Sequence, residues 1–325
     1  MKISKPLGIA IWGLGSHVWK NILPAISASD VVELVGVHTR NTTKAERVIS
    51  NFGGKFWSTT EHMLSDPLVD IVYVATPTGL HFEHGMMVLG ANKNLLCEKS
   101  LTHDSSKSLC LINCAKSKDL IILEAFMYLY HPQFLTALNI VTNPDFGKIL
   151  HISSNFGIPR IPKSSFRTSK KLGGGAFLDV GCYPISIAVS LVQKLPKVLQ
   201  FIKTKDIMDD IDISGVATLF FPSNITAHLG WGYYRAYRAE LMVWGEKQSF
   251  YVNYIFSKPD TYESQVLLSD KYGNIVPIII NPANSFVEMF KVLKLSFTSE
   301  NERKRLWNLA TLQAKTMGLF QDDRL

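Results

Sequence analysis

From Leu7 to Glu124 the chain alternates short apolar, β-branched runs with helical stretches, and few folds accept that rhythm. The runs Leu7–Trp12, Glu33–His38, Lys55–Trp57, Ile71–Ala75, Asn94–Glu98 and Leu120–Glu124 read as strands. Helical patterns fill the gaps near His17–Ala28, Thr43–Phe52, Glu61–Leu64, His81–Leu89 and Ser105–Lys118. Strands that alternate with helices predict a parallel sheet with helices packed against it. Six strands joined by five crossovers predict an α/β domain of the doubly wound, Rossmann type.

After Ala125 the pattern changes. A helix over Pro132–Val141 leads to an extended run, Lys148–Phe156, and then to a Pro- and Ser-containing loop through Arg160–Lys171. The glycines Gly173–Gly175 open an amphipathic stretch that reaches about Val192. From Val198 to Ile280 strands follow one another through turns such as Pro222–Asn224 and Lys271–Asn274, which predicts a large, mainly antiparallel sheet. Asn284–Phe297 and Glu302–Leu319 read as closing helices. The expected division is a cofactor domain over residues 1–124 and an α+β domain over 125–325 for substrate binding and oligomerisation. The alternation in Val216–Trp231 permits an exposed sheet face on which a second copy would pair, so a homo-oligomer, a dimer in the simplest case, is expected.

Composition narrows the function classes. The 325 residues are 46% apolar and 19% charged, enough for two packed cores. The opening MKISKPLGIAIWG has too short an apolar run for a signal peptide, and the longest apolar runs are of strand length, so no membrane span is expected. The four cysteines Cys97, Cys110, Cys114 and Cys182 form no CxxC pair and meet no histidine at zinc spacing. Reduced thiols in a cytoplasmic protein without a metal site are the expectation. The net charge of +7 is spread along the chain without a nucleic-acid motif, which favours small phosphorylated ligands over nucleic acid.

Gly13-Leu14-Gly15-Ser16-His17 follows the first strand and opens a helix. Gly13 allows a tight turn, and Gly15 lets backbone N–H groups approach a pyrophosphate at the helix N-terminus. The third small position is Val18, which loosens the match. An NAD site carries an acid at the end of the second strand, and here the chain reads His38-Thr39-Arg40-Asn41-Thr42-Thr43-Lys44. Arg40, with Thr39 and Lys44 beside it, suits a 2′-phosphate, so NADP (NADPH) is the expected cofactor.

Several segments resemble the glucose–fructose oxidoreductase / inositol dehydrogenase / MocA family of oxidoreductases. They are Ala75-Thr76-Pro77-Thr78-Gly79-Leu80-His81, then Leu96-Cys97-Glu98-Lys99, then Glu124-Ala125-Phe126-Met127-Tyr128 with His131-Pro132-Gln133. Phe166-Arg167 and the run Gly173-Gly174-Gly175-Ala176-Phe177-Leu178-Asp179-Val180-Gly181-Cys182-Tyr183-Pro184 complete the series in family order. Phe220-Phe221-Pro222, Tyr237 to Gly245 and Ile255 to Pro259 are most similar to the branch that reduces 3-keto groups of nucleotide-linked deoxysugars.

The resemblance implies hydride transfer between nicotinamide and a sugar carbonyl or hydroxyl. Lys99, just past the fifth strand, lies where open α/β sheets bind ligands, and its ammonium suits a developing alkoxide. The resemblance makes Tyr183 a proton donor, Asp179 a partner for substrate hydroxyls, Tyr128 a substrate contact and Arg167 a cofactor contact. Thr76, Pro77, His81 and Glu98 fall on the cofactor side, with His81 and His131 read chiefly as structural. Asp179 and Tyr183 share a helix face at i, i+4, with Pro184 threatening a kink. Two departures stand out: Ser100 replaces a usual proline, which predicts a trans bond, and Leu129 replaces a usual arginine. The alternatives are an NADP-dependent dehydrogenase of a free aldose, polyol or trans-dihydrodiol, and a non-catalytic NADP-binding regulator, of which the family has an example.

Overall fold

The computed structural model describes residues 5–159, 161, 165–206 and 210–321. Contacts divide the chain into two compact units, one of residues 1–126 with 286–311, the other of residues 127–285 with 312–325.

In the first unit the strands are β1 (Leu7–Trp12), β2 (Val32–His38), β3 (Lys55–Trp57), β4 (Ile71–Val74), β5 (Asn94–Cys97) and β6 (Ile122–Glu124). They form one parallel sheet in the order β3-β2-β1-β4-β5-β6, the doubly wound arrangement expected from the sequence. Every residue of β1 and of β4 is buried, which is why these runs are apolar throughout. The crossovers use α1 (Leu23–Ser27), α2 (Thr42–Phe52), α3 (Thr60–Ser65), α4 (His81–Gly90) and α5 (Ser105–Ser117). A π-helical turn over Val18–Ile22 precedes α1. Side chains cap several of these helices: Asn41 accepts from Lys44 N at α2, and Asp104 accepts from Ser106 N at α5.

The second unit opens with α6 (Pro132–Thr142), capped by His131, whose Nδ1 accepts from Gln133 N at 3.0 Å. Its sheet comprises β7 (Ile149–Ile158), β8 (Lys197–Lys205), β9 (Asp212–Phe221), β10 (Ile225–Tyr233), β11 (Arg238–Gly245), β12 (Ser249–Val252), β13 (Ser264–Ser269) and β14 (Ile275–Ile280). The order is β14-β13-β12-β11-β7-β10-β9-β8, antiparallel except where β10 runs parallel to β7. One face packs on α7 (Cys182–Val192). The sequence reads as amphipathic around α7, but every residue from Cys182 to Leu191 is buried. A helix enclosed on all sides has no polar face to display. The stretch Lys170–Val192 is apolar and long enough to cross a membrane, yet 83% of its most apolar window lies inside the fold. Part of the loop expected over Arg160–Lys171 falls outside the described residues.

The sequence assigned everything after residue 124 to the second domain. Instead, residues 286–311 return to the first unit, through α8 (Ser285–Thr298) and most of α9 (Glu300–Gly318). The Trp307 indole N–H donates to Leu120 O at 3.0 Å, and Arg303 grips Asp119 with two bonds of 3.1 Å. These contacts fasten the loop before β6, a long-range pairing that local periodicity does not report. Trp307→Ala should therefore lower the stability of the Rossmann unit by about 3–5 kcal/mol, the usual cost of emptying a buried tryptophan site. Denaturant unfolding followed by dinucleotide binding measures it, and a variant that holds dinucleotide to the wild-type midpoint would separate these helices from the first unit.

Candidate active site

At the carboxyl end of β1 the chain turns sharply at Gly13, where φ is +102° and an added Cβ would press on Ala75 O at 3.0 Å. A Cβ on Gly15 would meet nothing within 4 Å, so the space over the helix start is open. Leu14, Gly15, Ser16 and His17 lead into the first helical turns, whose leading N–H groups have no intrahelical acceptor. Lys44 Nζ reaches Leu14 O at 3.5 Å, which brings its charge beside this turn. Arg40 is exposed, and its charge contributes to holding down the pKa of His84. Thr39 Oγ1 accepts from Asn41 N at 3.2 Å. Open space above a helix start, two cations and no carboxylate in the segment after β2 fit a dinucleotide carrying an extra phosphate.

Two aromatic groups add to this end of the sheet, and the sequence reading missed both. Trp12, the last residue of β1, stacks on His84 at 4.0 Å, and its edge faces His38 at 5.7 Å. The Thr76 hydroxyl bonds His84 Nδ1 at 2.9 Å. Burial first, and then the charges of His81, His38 and Arg40, push His84 down to about 4, so its ring is neutral at pH 7. His84 lies one helical turn after His81, the only sequence signal for its placement.

At the carboxyl end of β5, Glu98 is the hub. Its carboxylate accepts from the Tyr73 hydroxyl, pairs with His17 Nε2 at 3.1 Å, and takes the Lys99 backbone N–H at 3.3 Å. His17 in turn bonds Asn21 through Nδ1 at 2.9 Å. Burial works to raise the Glu98 pKa, but the His17 ring, the Tyr73 hydroxyl and the Lys99 charge together bring it down to about 2. Glu98 is therefore a fixed anion directly before Lys99.

The Lys99–Ser100 peptide is cis, against the trans bond expected without a proline. Buried groups hold both sides of it. Leu101 N–H donates to Glu124 Oε1 at 2.7 Å. His81 Nδ1 lies 2.9 Å from Ser100 O and its Nε2 2.7 Å from Thr76 O, between the turn after β4 and the turn after β5; burial lowers the His81 pKa, and the neutral ring donates its single N–H to one of these two carbonyls. Pro77 starts the short 3₁₀ turn Thr78–Leu80 that leads to it. Glu124, at the end of β6, is pushed up to about 7 by burial and by Glu98, against the pull of Leu101 N–H and Lys99.

In the second unit a second carboxylate is fixed. Phe177–Gly181 forms a π-helical turn that runs straight into α7. Pro184 has no N–H to give to this continuous run and follows directly on the π-helical turn, and the helix continues past it to Val192, so the expected kink does not break it. Asp179 Oδ2 accepts from Arg167 Nε at 2.6 Å and from the Tyr233 hydroxyl at 3.1 Å. Burial opposes the Arg167 charge, yet the Asp179 carboxylate raises its pKa on balance. Tyr233 is pushed far up by burial and by Asp179, so it acts only as a donor. The glycine run lets the chain pass close to Arg167: a Cβ on Gly174 would lie 2.4 Å from Arg167 O.

Tyr183, 7% exposed, sits in an aromatic cluster with Phe156 at 5.0 Å, Phe256 at 5.4 Å and Tyr128 at 5.8 Å. Tyr128 is fully buried, and its hydroxyl bonds Ser186 on α7. It therefore backs the Tyr183 ring. Leu129, in the place of a usual arginine, is buried in the 3₁₀ turn Met127–Tyr130. Among the described residues no cluster of His, Cys, Asp and Glu could hold a metal ion.

Residues 7–126 match the model of an oxidoreductase family with an NAD-binding Rossmann fold, and residues 134–251 match that family's C-terminal domain. A dTDP-3,4-didehydro-2,6-dideoxy-α-D-glucose 3-reductase of Saccharopolyspora spinosa is 30% identical over 82% of this chain and 80% of its own length. A D-xylose 1-dehydrogenase (NADP⁺) of Hypocrea jecorina is 31% identical over 55% of the chain and 50% of its own. Among solved structures, KijD10, a 3-ketoreductase from Actinomadura kijaniata in complex with NADP and TDP-benzene, superposes with a TM-score of 0.88 at 26% identity, covering 95% of each chain. With both domains matched in order and the glycine turn, lysine turn and Asp–Tyr helix all built, the chain belongs to the Gfo/Idh/MocA family of oxidoreductases.

Proposed function

We propose that this protein reduces a sugar ketone with NADPH, the substrate being a 3-keto group on a nucleotide-linked deoxysugar. The observation that carries the reading is the pair of fixed carboxylates, Glu98 before Lys99 and Asp179 before Tyr183, in a chain similar to 3-ketoreductases over most of its length. NADPH supplies the hydride when bound. Gly13, Leu14, Gly15, Ser16 and His17 would cradle its pyrophosphate, and Thr39, Arg40 and Lys44 its 2′-phosphate. Thr76 and Pro77 would line the cofactor side.

In this reading Lys99 donates a hydrogen bond to the carbonyl oxygen and stabilises the charge that develops there. Tyr183 passes its phenolic proton to the same oxygen, leaving a hydroxyl. Asp179, paired with Arg167, accepts from a neighbouring sugar hydroxyl and orients the ring. Arg167 then acts by holding Asp179.

The outward face of the second sheet exposes Ile202, Val216, Met242, Trp244 and Ile279, and this apolar face supports self-association through it. The four cysteines are unpaired thiols, two of them buried, which supports a reducing compartment such as the cytoplasm.

Three outcomes are expected. Purified protein should oxidise NADPH when a 3-keto dTDP-sugar is added, with kcat lowered about 10²–10⁴-fold in Lys99→Ala and Tyr183→Phe while NADP affinity holds. A wild-type protein that binds NADP and turns over no keto-sugar would instead match the regulator.

Glu124 gives a pH signature. Its carboxyl titrates near 7 in the fold and near 4.5 when unperturbed. Between those values the folded state holds a proton that the unfolded chain has released, so this group's contribution is full below about 4 and lost as pH rises through 7. Glu124→Gln should match wild type at pH 5 and exceed it at pH 8 by roughly 1–3 kcal/mol, by denaturant unfolding. A difference independent of pH would refute the assignment.

Trp244→Glu should shift the sedimentation mass from oligomer to monomer by placing a charge on the apolar face. An unchanged mass would place self-association elsewhere.

A further inference from the structure

The second unit holds a cation that the chemistry above does not use. Lys258 lies half-buried on the segment between β12 and β13. Among the described residues no carboxylate lies within ion-pairing distance of its ammonium, and burial alone accounts for a pKa lowered to about 8. Other cations of this unit have carboxylate partners, Arg167 with Asp179, Arg238 with Glu240 at 3.3 Å and Lys170 with Asp210 at 2.5 Å, whereas the group that feels the Lys258 charge is the His131 ring, whose pKa burial and then Lys258 lower to about 4. A half-buried ammonium without a carboxylate partner has its charge available to an anionic ligand.

The segment is held firmly. Gln133 Nε2 donates to Asn253 O and to Gln265 O, both at 3.1 Å. Ile255 N–H reaches Ala239 O at 2.8 Å, and the Tyr237 hydroxyl donates to Ser257 O at 3.0 Å. Phe256, two residues before Lys258, rests on Tyr183 at 5.4 Å. Lys258 is thus carried on a braced stretch that touches the ring of the proposed proton donor. The same stretch bears flat aromatic faces. Tyr237 stacks on Tyr254 at 5.6 Å and 28°, Tyr254 meets Tyr262 at 5.1 Å, and Tyr237 is 40% exposed.

An ammonium carried on the same braced stretch as stacked rings is the chemistry that recognises a nucleoside diphosphate: charge on phosphate oxygens, ring face on base. We infer that Lys258 binds the diphosphate of a nucleotide-linked substrate and that the Tyr237–Tyr254–Tyr262 stack receives its base. This assignment rests on the nucleotide-sugar reading above and names the residues that select for it over a free sugar.

The test is titration of the full-length, NADP-loaded protein with TDP, read by calorimetry and by thermal shift. Lys258→Met should weaken TDP binding at least about 10-fold, with NADP affinity unchanged and a ligand-free melting temperature at or above wild type, because the buried charge is gone. Lys258→Arg should keep TDP affinity within about 3-fold by restoring the charge. Tyr254→Asn, which tolerates the positive φ of that position, should weaken TDP as well. Equal TDP affinity in wild type and Lys258→Met overturns the role of Lys258, as does loss of TDP in the arginine and methionine variants alike. A wild-type protein that holds NADP and has no affinity for TDP overturns the nucleotide-sugar reading itself.

Discussion

The first unit depends on one half-buried carboxylate. Glu98 joins β5 to β4 through the Tyr73 hydroxyl and to the helix after the glycine turn through His17. An anion at that depth is tolerated only because donors surround it, and the same donors fix it as an anion at every pH the protein meets. The turn that would cradle the pyrophosphate is pinned to the strand that presents Lys99. The Lys99 charge is one of the groups that hold Glu98 as an anion.

The second unit repeats this device with different residues. Asp179 is held by Arg167 and Tyr233, as Glu98 is held by His17 and Tyr73. A π-helical turn precedes Tyr183, and the ring of Tyr183 packs against Phe156 and Phe256. Phe177 N–H donates to Asp212 at 2.5 Å at the start of the same turn, so the helix that carries both groups is anchored at its N-terminal end. Carboxylates with fixed partners make for preorganised sites, since the donors need not rearrange when charge develops on the substrate.

How much of this the residues announce depends on the range of the forces involved. The parallel strands were legible because burial on both faces writes continuous apolar runs, and the glycine turn because tight geometry admits few residues. The return of residues 286–311 to the first unit was not legible. Helical periodicity reports a buried stripe on α8 and α9 but not what covers it, and the partners lie about the length of a domain away in sequence. The full burial of α7 was missed because Ser186 and Ser190 break its apolar run and suggest a polar face, whereas the Ser186 hydroxyl is satisfied inside by Tyr128 and Tyr183 O. Resemblance singles out Glu98 and Asp179 in the sequence. Their partners His17, Tyr73 and Tyr233 were found only once distances were known, since a hydrogen bond between side chains many residues apart leaves no periodic trace.

The end of β2 shows how a missing residue becomes a positive statement. A dinucleotide with a free ribose 2′-hydroxyl is usually met there by a carboxylate, and the last residue of β2 is instead His38, whose Nδ1–H donates to Trp57 O at 2.8 Å. Its ring faces the edge of Trp12, which stacks on His84. His84 is neutral because burial and neighbouring positive groups make a further charge unfavourable. The fixed positive charge that remains in this segment is that of Arg40 and Lys44, groups that gain nothing from a hydroxyl and a great deal from a phosphate. Arg40 and Lys44 thus offer positive charge just after β2 with no carboxylate in the segment to oppose it, beside an aromatic cluster whose histidine stays neutral.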